Sequence, residues 1–505
     1  MNIATLLLRA AARAPQDAPA VALGERALHD YPALVDRVRR LSAGLSAKGV
    51  GAGDRIAIWM ENRPEYVELL LAAWWTGIAV VPVNAKLTPT ELAVILADAD
   101  PRLLFVAPGT QGHGTADAID VTGPAYASLL ASSPGPAEPA PTGPDALAWL
   151  FFTSGTTGRP KGAMIHHGSL LAMTQGFLAD VDALPPGTPM LHFAPLSHGS
   201  GLYALPCLAV GGTQVLPERS GFRAGEVATL AARWPGACFF AAPTMVRRLA
   251  RDVAASGIVP QGLRTIVYGG GPLYPADARE AACLLGPVFA QIYGQGESPM
   301  TITCQSRAEL AAALDRGDEA FLKSVGRAFL GTEIRIVDVT GRSLPPGEIG
   351  EVLVRGPAVC LGYLDDPEAT ARTFGDGWLR TGDLGRVDAT GLLTLEGRSK
   401  ELIVTGGSNV YPVEVETVLL DHPDVREAAV VGVPHPDWGE AVTAFVASDA
   451  EPSRLADELD ELCRERIARF KCPKSWHVRE SLPKNAYGKI VKRELAASLG
   501  EPPPR

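Results

Sequence analysis

Positive charge is scarce in this sequence relative to negative. Lys and Arg number 46 against 56 Asp and Glu, a formal net charge of −10. Nucleic acid and anionic membrane surfaces are approached through clustered Lys and Arg, so this balance argues against either as the main partner. A nucleotide needs only a local positive cluster. Cysteine is sparse as well: the seven, at 207, 238, 283, 304, 360, 463 and 472, include no Cys-x-x-Cys pair and no neighbouring histidine at zinc-ligand spacing. That pattern fits reduced thiols in a cytoplasmic protein. Long apolar runs are also missing. The longest, Leu69 to Val83, is interrupted by Thr76, Gly77 and Pro82 and is short for a bilayer span. It predicts a buried helix over 66–76 followed by a strand over 78–83. The first residues, Met1 to Arg9, lack a positive region, and Arg9 and Arg13 break their apolar stretch, so no signal peptide is expected.

What is present is apolar mass and alternation. A hydrophobic fraction of 47% over 505 residues can bury a large core, and the length implies more than one domain. Helix 31–48, strand 55–60, helix 66–76, strand 78–83, a helix from Thr88 and strand 103–106 follow one another, the α/β pattern of parallel sheet with helices on its faces. The stretch 132–144, rich in proline, predicts an exposed connection. Helix 166–179, a strand at 237 running into a helix near Pro243, and strand 263–268 continue the alternation. From Ser324 short alternating strands at 333–337, 351–355 and 392–395 predict a small β-rich subdomain. The last hundred residues predict a compact α+β unit: helix 412–420, strands 425–433 and 440–446, helix 456–467 and a strand near 476–478.

The chain is organised around Phe151-Phe152-Thr153-Ser154-Gly155-Thr156-Thr157-Gly158-Arg159-Pro160-Lys161-Gly162. It follows an apolar strand, Ala146 to Leu150, and combines hydroxyls, glycines and a lysine, which together converge donors and charge on a phosphate. The familiar triphosphate loop ending Gly-Lys-Ser/Thr is not met, because Pro160 precedes the lysine and Gly162 follows it. Composition alone would also suit a surface linker. Further strings stand out: Pro195-Leu196-Ser197-His198; Gly269-Gly270-Gly271 closing a strand, where open α/β sheets bind ligands; Gln291-Ile292-Tyr293-Gly294-Gln295-Gly296-Glu297; Thr381-Gly382-Asp383; Gly397-Arg398-Ser399-Lys400; and Pro483-Lys484-Asn485-Ala486-Tyr487-Gly488-Lys489. Singly, each has an ordinary reading as core, turn or solvated charge.

In this order the strings resemble the adenylate-forming superfamily of acyl- and aryl-CoA ligases, peptide-synthetase adenylation domains and luciferases. The resemblance implies a large N-terminal α/β domain over 1–397, a hinge at 398–402 and a mobile α+β C-terminal domain over 403–505. It implies ATP, Mg²⁺ and coenzyme A as cofactor and substrates, and a small-molecule carboxylic acid activated as its adenylate, with an acyl-carrier protein or an amine as alternative acceptor. A catalytically silent binding protein is the alternative of another class. No membrane span is implied, and the chain is expected as a monomer or homodimer.

By the same resemblance Thr153, Ser154, Gly155, Thr156, Thr157, Gly158 and Lys161 grip the phosphates. Gly269, Gly270, Gly271, Gln291, Tyr293 and Gly294 line the adenine, and Glu297 holds the metal. Asp383 takes the ribose hydroxyls, Arg398 contacts sugar or phosphate, and Lys400 is the pivot. Gly406, Gly407 and Ser408 guide the thiol, and Lys489 contacts the carboxylate and α-phosphate. His198, Phe240, Tyr268 and Met300 form the acyl pocket. Gly296 replaces the family's usual hydroxyl residue, which puts one phosphate contact in doubt.

Overall fold

A computed structural model describes residues 1–15, 17–110, 118–153, 160–219, 221–271, 273–405, 408–485 and 488–499. The chain divides into two compact units: Met1–Ile334 with Val354–Arg380, and Arg335–Leu353 with the residues from Thr381 onward.

The first unit is built on two sheets. In the nine-stranded one, Ala237–Ala241, Leu263–Tyr268 and Phe289–Tyr293 run parallel side by side, while Thr303–Gln305 and the Pro19–Leu23 to Arg26–Asp30 hairpin add antiparallel edges. The six-stranded sheet runs Ile119–Asp120, Leu103–Val106, Arg55–Trp59, Ala79–Val83, Leu147–Thr153 and Lys161–His166. All its pairs are parallel except the last. The alternation of the sequence is thus realised as parallel sheet, and the α/β class stands.

Helix Pro64–Thr76 shows why the sequence folds this way. It starts with proline at the first position, ends at Gly77 with φ +82°, and is apolar on every side, the signature of a helix with no solvent face. Glu65 at its start reaches solvent beside Arg63, whereas Glu68 inside it is 1% exposed. Arg37 donates to both carboxylate oxygens at 2.8 Å, the Tyr126 hydroxyl donates at 2.9 Å, and His29 Nε2 lies 3.4 Å away. A buried carboxylate is tolerable only with such partners. The next helix, Pro89–Ala99, begins at a reciprocal Thr88 and Glu91 cap.

Two local expectations are refined. The proline-rich segment is the exposed connection expected of it, and in addition its backbone is fastened down. Arg39 donates to the Gly135 carbonyl at 2.7 Å, Ala140 N–H donates to the Trp75 carbonyl at 2.7 Å, and Asn2 donates to the Ala140 carbonyl at 3.0 Å. The helix expected over 166–179 is α-helical only over His167–Gly176 and widens into a π turn at Phe177–Val181.

Residues 333–398 supply the five-stranded sheet that the short-strand region predicts. In the second unit Gly439–Ala447 pairs antiparallel with Glu427–His435 and parallel with Ser475–Arg479, and helices Pro412–Leu420 and Pro452–Arg466 pack Val415, Leu419, Leu455 and Leu459 against the sheet residues Val430 and Val442. Among the described residues, no helix is long and apolar enough to cross a membrane.

Candidate active site

The described ends of the phosphate-grip string belong to two paired strands. Leu147–Thr153 is paired antiparallel with Lys161–His166, and Thr153 stands opposite Lys161. Ser154, Gly155, Thr156, Thr157 and Gly158 lie outside the described residues. Lys161 Nζ is 3.5 Å from Asp366 and 5.2 Å above the ring of Tyr363.

Glu297 lies within the turn closed by the Gln295 N–H, which donates to the Ser298 carbonyl at 3.1 Å. Its Oε1 accepts from the Tyr363 hydroxyl at 2.7 Å. Gly296, the departure from the family pattern, has a steric reason: a Cβ there would lie 2.5 Å from Thr153 Cγ2 and 2.8 Å from the Phe151 ring. A side chain at 296 would have to displace Thr153 or Phe151. Gly294 is held equally close, to the backbone of Met300, whose φ is +64°.

Around His198 several pocket candidates meet. His198 precedes helix Gly199–Ala209; its Nδ1 lies 2.9 Å from the Ser197 hydroxyl, and its ring meets Phe151 edge-on at 5.0 Å. A Cβ on Gly199 would fall 2.7 Å from Phe240 and 2.8 Å from Met300 Cε, so both side chains close over the residue beside His198. Tyr268 is fully buried and donates to Gln291 at 3.1 Å. Gly269 is pressed against Ile292 and Gly270 has φ +81°, so both positions of this turn require glycine, whereas Gly271 is exposed. Tyr293 ends its strand, nearly buried. A second histidine, His192, is wholly buried between Ser200 and Gln214 at 2.8 and 2.7 Å. Burial holds its pKa down at about 4, so it stays neutral and structural.

In the second unit, residues far apart in sequence converge. Asp383 and Arg398 are cross-strand partners, with Nε 2.9 Å from the buried Asp383 carboxylate. Lys489 closes a turn in which its N–H donates to Asn485 Oδ1 at 3.0 Å and Gly488 takes φ +80°. Its pKa is held below the ordinary lysine value by crowding from protein atoms and by Arg398, while Asp383 and Glu401 act in the opposite direction. The residue as a whole retains exposed surface. Lys400 is exposed in a short 3-10 turn, and Ser408 starts the strand Ser408–Val410. Gly406 and Gly407 lie outside the described residues. Lys492 bridges Glu401 and Glu416 at 3.0 and 2.7 Å.

Two family models match, an AMP-binding enzyme over residues 7–364 and an AMP-binding enzyme C-terminal domain over 414–489. The chain belongs to the AMP-binding enzyme family. This AMP-binding enzyme is 37% identical over 499 residues to a feruloyl-CoA synthase of Amycolatopsis, covering 97% of each chain. It is 34% identical to a fatty acid–[acyl-carrier-protein] ligase of Streptomyces coeruleorubidus, over 94% of this chain and 92% of that one. A solved o-succinylbenzoate CoA synthetase of Bacillus subtilis, in complex with its acyl-adenylate intermediate, superposes with a TM-score of 0.85 at 30% identity over 97% of each chain.

Whether the residues suit Mg²⁺ can be judged from Glu297. No group of three or more His, Cys, Asp or Glu able to hold a metal exists among the described residues. Glu297 has one oxygen occupied by Tyr363 and accepts no other hydrogen bond among the described residues. One carboxylate oxygen beside a nucleotide's phosphates is the ligand set Mg²⁺ commonly takes. Sequence reasoning missed Tyr363 and Asp366, and it read Phe151 as part of the grip string without its contact with His198. Their signal is only spatial, since nothing in the string around Gly362 marks a tyrosine that reaches residue 297.

Proposed function

We propose that this AMP-forming carboxylate–CoA ligase activates a carboxylic acid without an α-amino group, of apolar acyl or aryl type. ATP, Mg²⁺ and coenzyme A are its cofactor and substrates. The observation that carries the reading is the convergence of Asp383, Arg398 and Lys489, three residues whose roles the family assigns to one nucleotide. Lys489 lies close enough to Arg398 and Asp383 for their charges to move its pKa.

In the first step a carboxylate oxygen attacks the α-phosphorus and pyrophosphate departs. Such a step is accelerated by positioning and charge stabilisation. Asp383, whose carboxylate offers two acceptor oxygens, takes the ribose hydroxyls, the grip from Thr153 to Lys161 holds the departing pyrophosphate, and Lys489 neutralises charge between acid and α-phosphate. Mg²⁺ would be held by Glu297 and by phosphate oxygens, adding positive charge there. In the second step the thiol displaces AMP, guided by Gly406, Gly407 and Ser408, after the domain over 403–505 turns about the hinge at 398–402 with Lys400 as pivot. The acid is framed by His198, Phe240, Tyr268 and Met300, all but the histidine largely apolar. The stretch Phe193 to Leu205 contains no aspartate to bind an α-amine. The seven unpaired cysteines support residence in the cytoplasm.

The relative that loads an acyl-carrier protein keeps a second acceptor in view. A panel of aryl and acyl acids, assayed for pyrophosphate release with and without coenzyme A, tests the reading. An apolar acid giving release and a CoA thioester supports it; turnover only with amino acids, or thioester only on a carrier protein, overturns it.

A further inference from the structure

Residues 360–366 form a strap that joins two parts of the site. On one side the strap lies along strand Lys161–His166: Met164 N–H donates to the Gly362 carbonyl at 2.9 Å, Leu361 N–H to the Met164 carbonyl at 3.0 Å, and Leu364 N–H to the Gly162 carbonyl at 2.9 Å. On the other side Cys360 N–H donates to the Glu297 carbonyl at 2.8 Å. Between these attachments Gly362 adopts φ +128°, and a Cβ there would fall 2.6 Å from Thr370. Tyr363 N–H donates to that threonine's hydroxyl at 2.9 Å. The backbone therefore fixes where the Tyr363 side chain begins.

That side chain has two separate contacts. Its hydroxyl donates to Glu297 Oε1, and its ring face lies under the Lys161 ammonium, which also pairs with Asp366 at the cap of the helix Pro367–Thr373. The phenol O–H is the donor of that bond, and the carboxylate oxygen accepts it. A donor on Oε1 constrains the rotation of the carboxylate, and Oε2 accepts no hydrogen bond among the described residues.

We propose that Tyr363 is a positioning residue for the metal: it aims Glu297 Oε2 at the cation on the nucleotide's phosphates and sets that oxygen in register with Lys161 of the grip. The proposal rests on the reading of Glu297 as the metal-holding carboxylate. Partners that orient metal ligands are worth on the order of 10–100-fold in metal affinity.

The test measures ATP binding to the full-length protein by calorimetry, without acid so that no turnover occurs, in Mg²⁺ and in EDTA, with AMP in EDTA as the reference. In Tyr363→Phe, which keeps the ring over Lys161, the gain in ATP affinity on adding Mg²⁺ should shrink by about tenfold or more, while AMP affinity changes less than about twofold. Glu297→Gln should lose the same gain. If Glu297→Gln loses it and Tyr363→Phe keeps it, the positioning role is overturned alone. If Glu297→Gln keeps it, the metal reading of Glu297 fails, and the role of Tyr363 with it. Equal weakening of ATP and AMP in both media by Tyr363→Phe would mark a merely structural residue and also overturn the proposal.

Discussion

Lys489 is where residue-scale chemistry can be separated most cleanly. Its pKa is held down first by burial and then by the charge of Arg398, with Asp383 and Glu401 acting in the opposite direction. An anionic substrate arriving there would relieve that crowding, which suits a residue whose charge is needed in only one of two steps. Lys489→Ala is expected to lower acid-dependent ATP–pyrophosphate exchange by at least ~10²-fold, the scale of losing one transition-state donor. Conversion of supplied acyl-adenylate and CoA to thioester should persist. Exchange at the normal rate would refute the assignment. Gly296 makes the complementary point. As a letter in the sequence it reads as a missing hydroxyl, but the space is filled by Phe151 and Thr153.

At the scale of elements, what could be read ahead of the structure followed the physics of burial. Helix Pro64–Thr76 and strand Ala79–Val83 were visible because nothing in them tolerates water, and the turn of Gly269 and Gly270 because only glycine suits it. Sheet pairing was not visible. That Lys161 opens an antiparallel partner of the strand before the grip, or that the strap of residues 360–366 lies along it, depends on hydrogen bonds between segments with no local signature. The buried Glu68 cluster was hidden for the same reason, since its three partners, His29, Arg37 and Tyr126, come from three separate elements. Burial alone would raise the Glu68 pKa, but the bonds from His29, Arg37 and Tyr126 outweigh it and the net shift is downward. A carboxylate with a folded pKa below its unfolded value adds stability that is complete above the unfolded value of about 4.5 and is lost as pH falls through the folded one. Glu68→Gln should therefore cost about 3 kcal/mol near neutral pH, the low end for breaking a buried pair because Arg37 keeps some access to water. The cost should shrink below pH 4.5. Denaturant midpoints of both proteins from pH 3 to pH 8 check this; a deficit independent of pH would mean packing, not charge, is lost.

For the whole molecule, the thiols provide a probe that reaches both units. All seven cysteines are unpaired, and six are buried while Cys283 is exposed. Burial pushes the thiols of Cys238, Cys360 and Cys463 up to about 12 and raises those of Cys207, Cys304 and Cys472 as well. Since the thiolate is the reactive form, these six are protected twice, by lack of access and by lack of charge. A thiol reagent at mildly alkaline pH should modify one cysteine per chain rapidly and the other six only on unfolding. Cys283→Ser should remove the fast phase entirely. Two or more fast thiols in the native protein would show that a core described here as closed opens on the time scale of the reaction. Because Cys283 sits near the end of helix Pro275–Leu285 and is none of the residues assigned to the nucleotide or the acid, its modification should leave pyrophosphate release unchanged. The same labelling then reports on the fold without disturbing the chemistry.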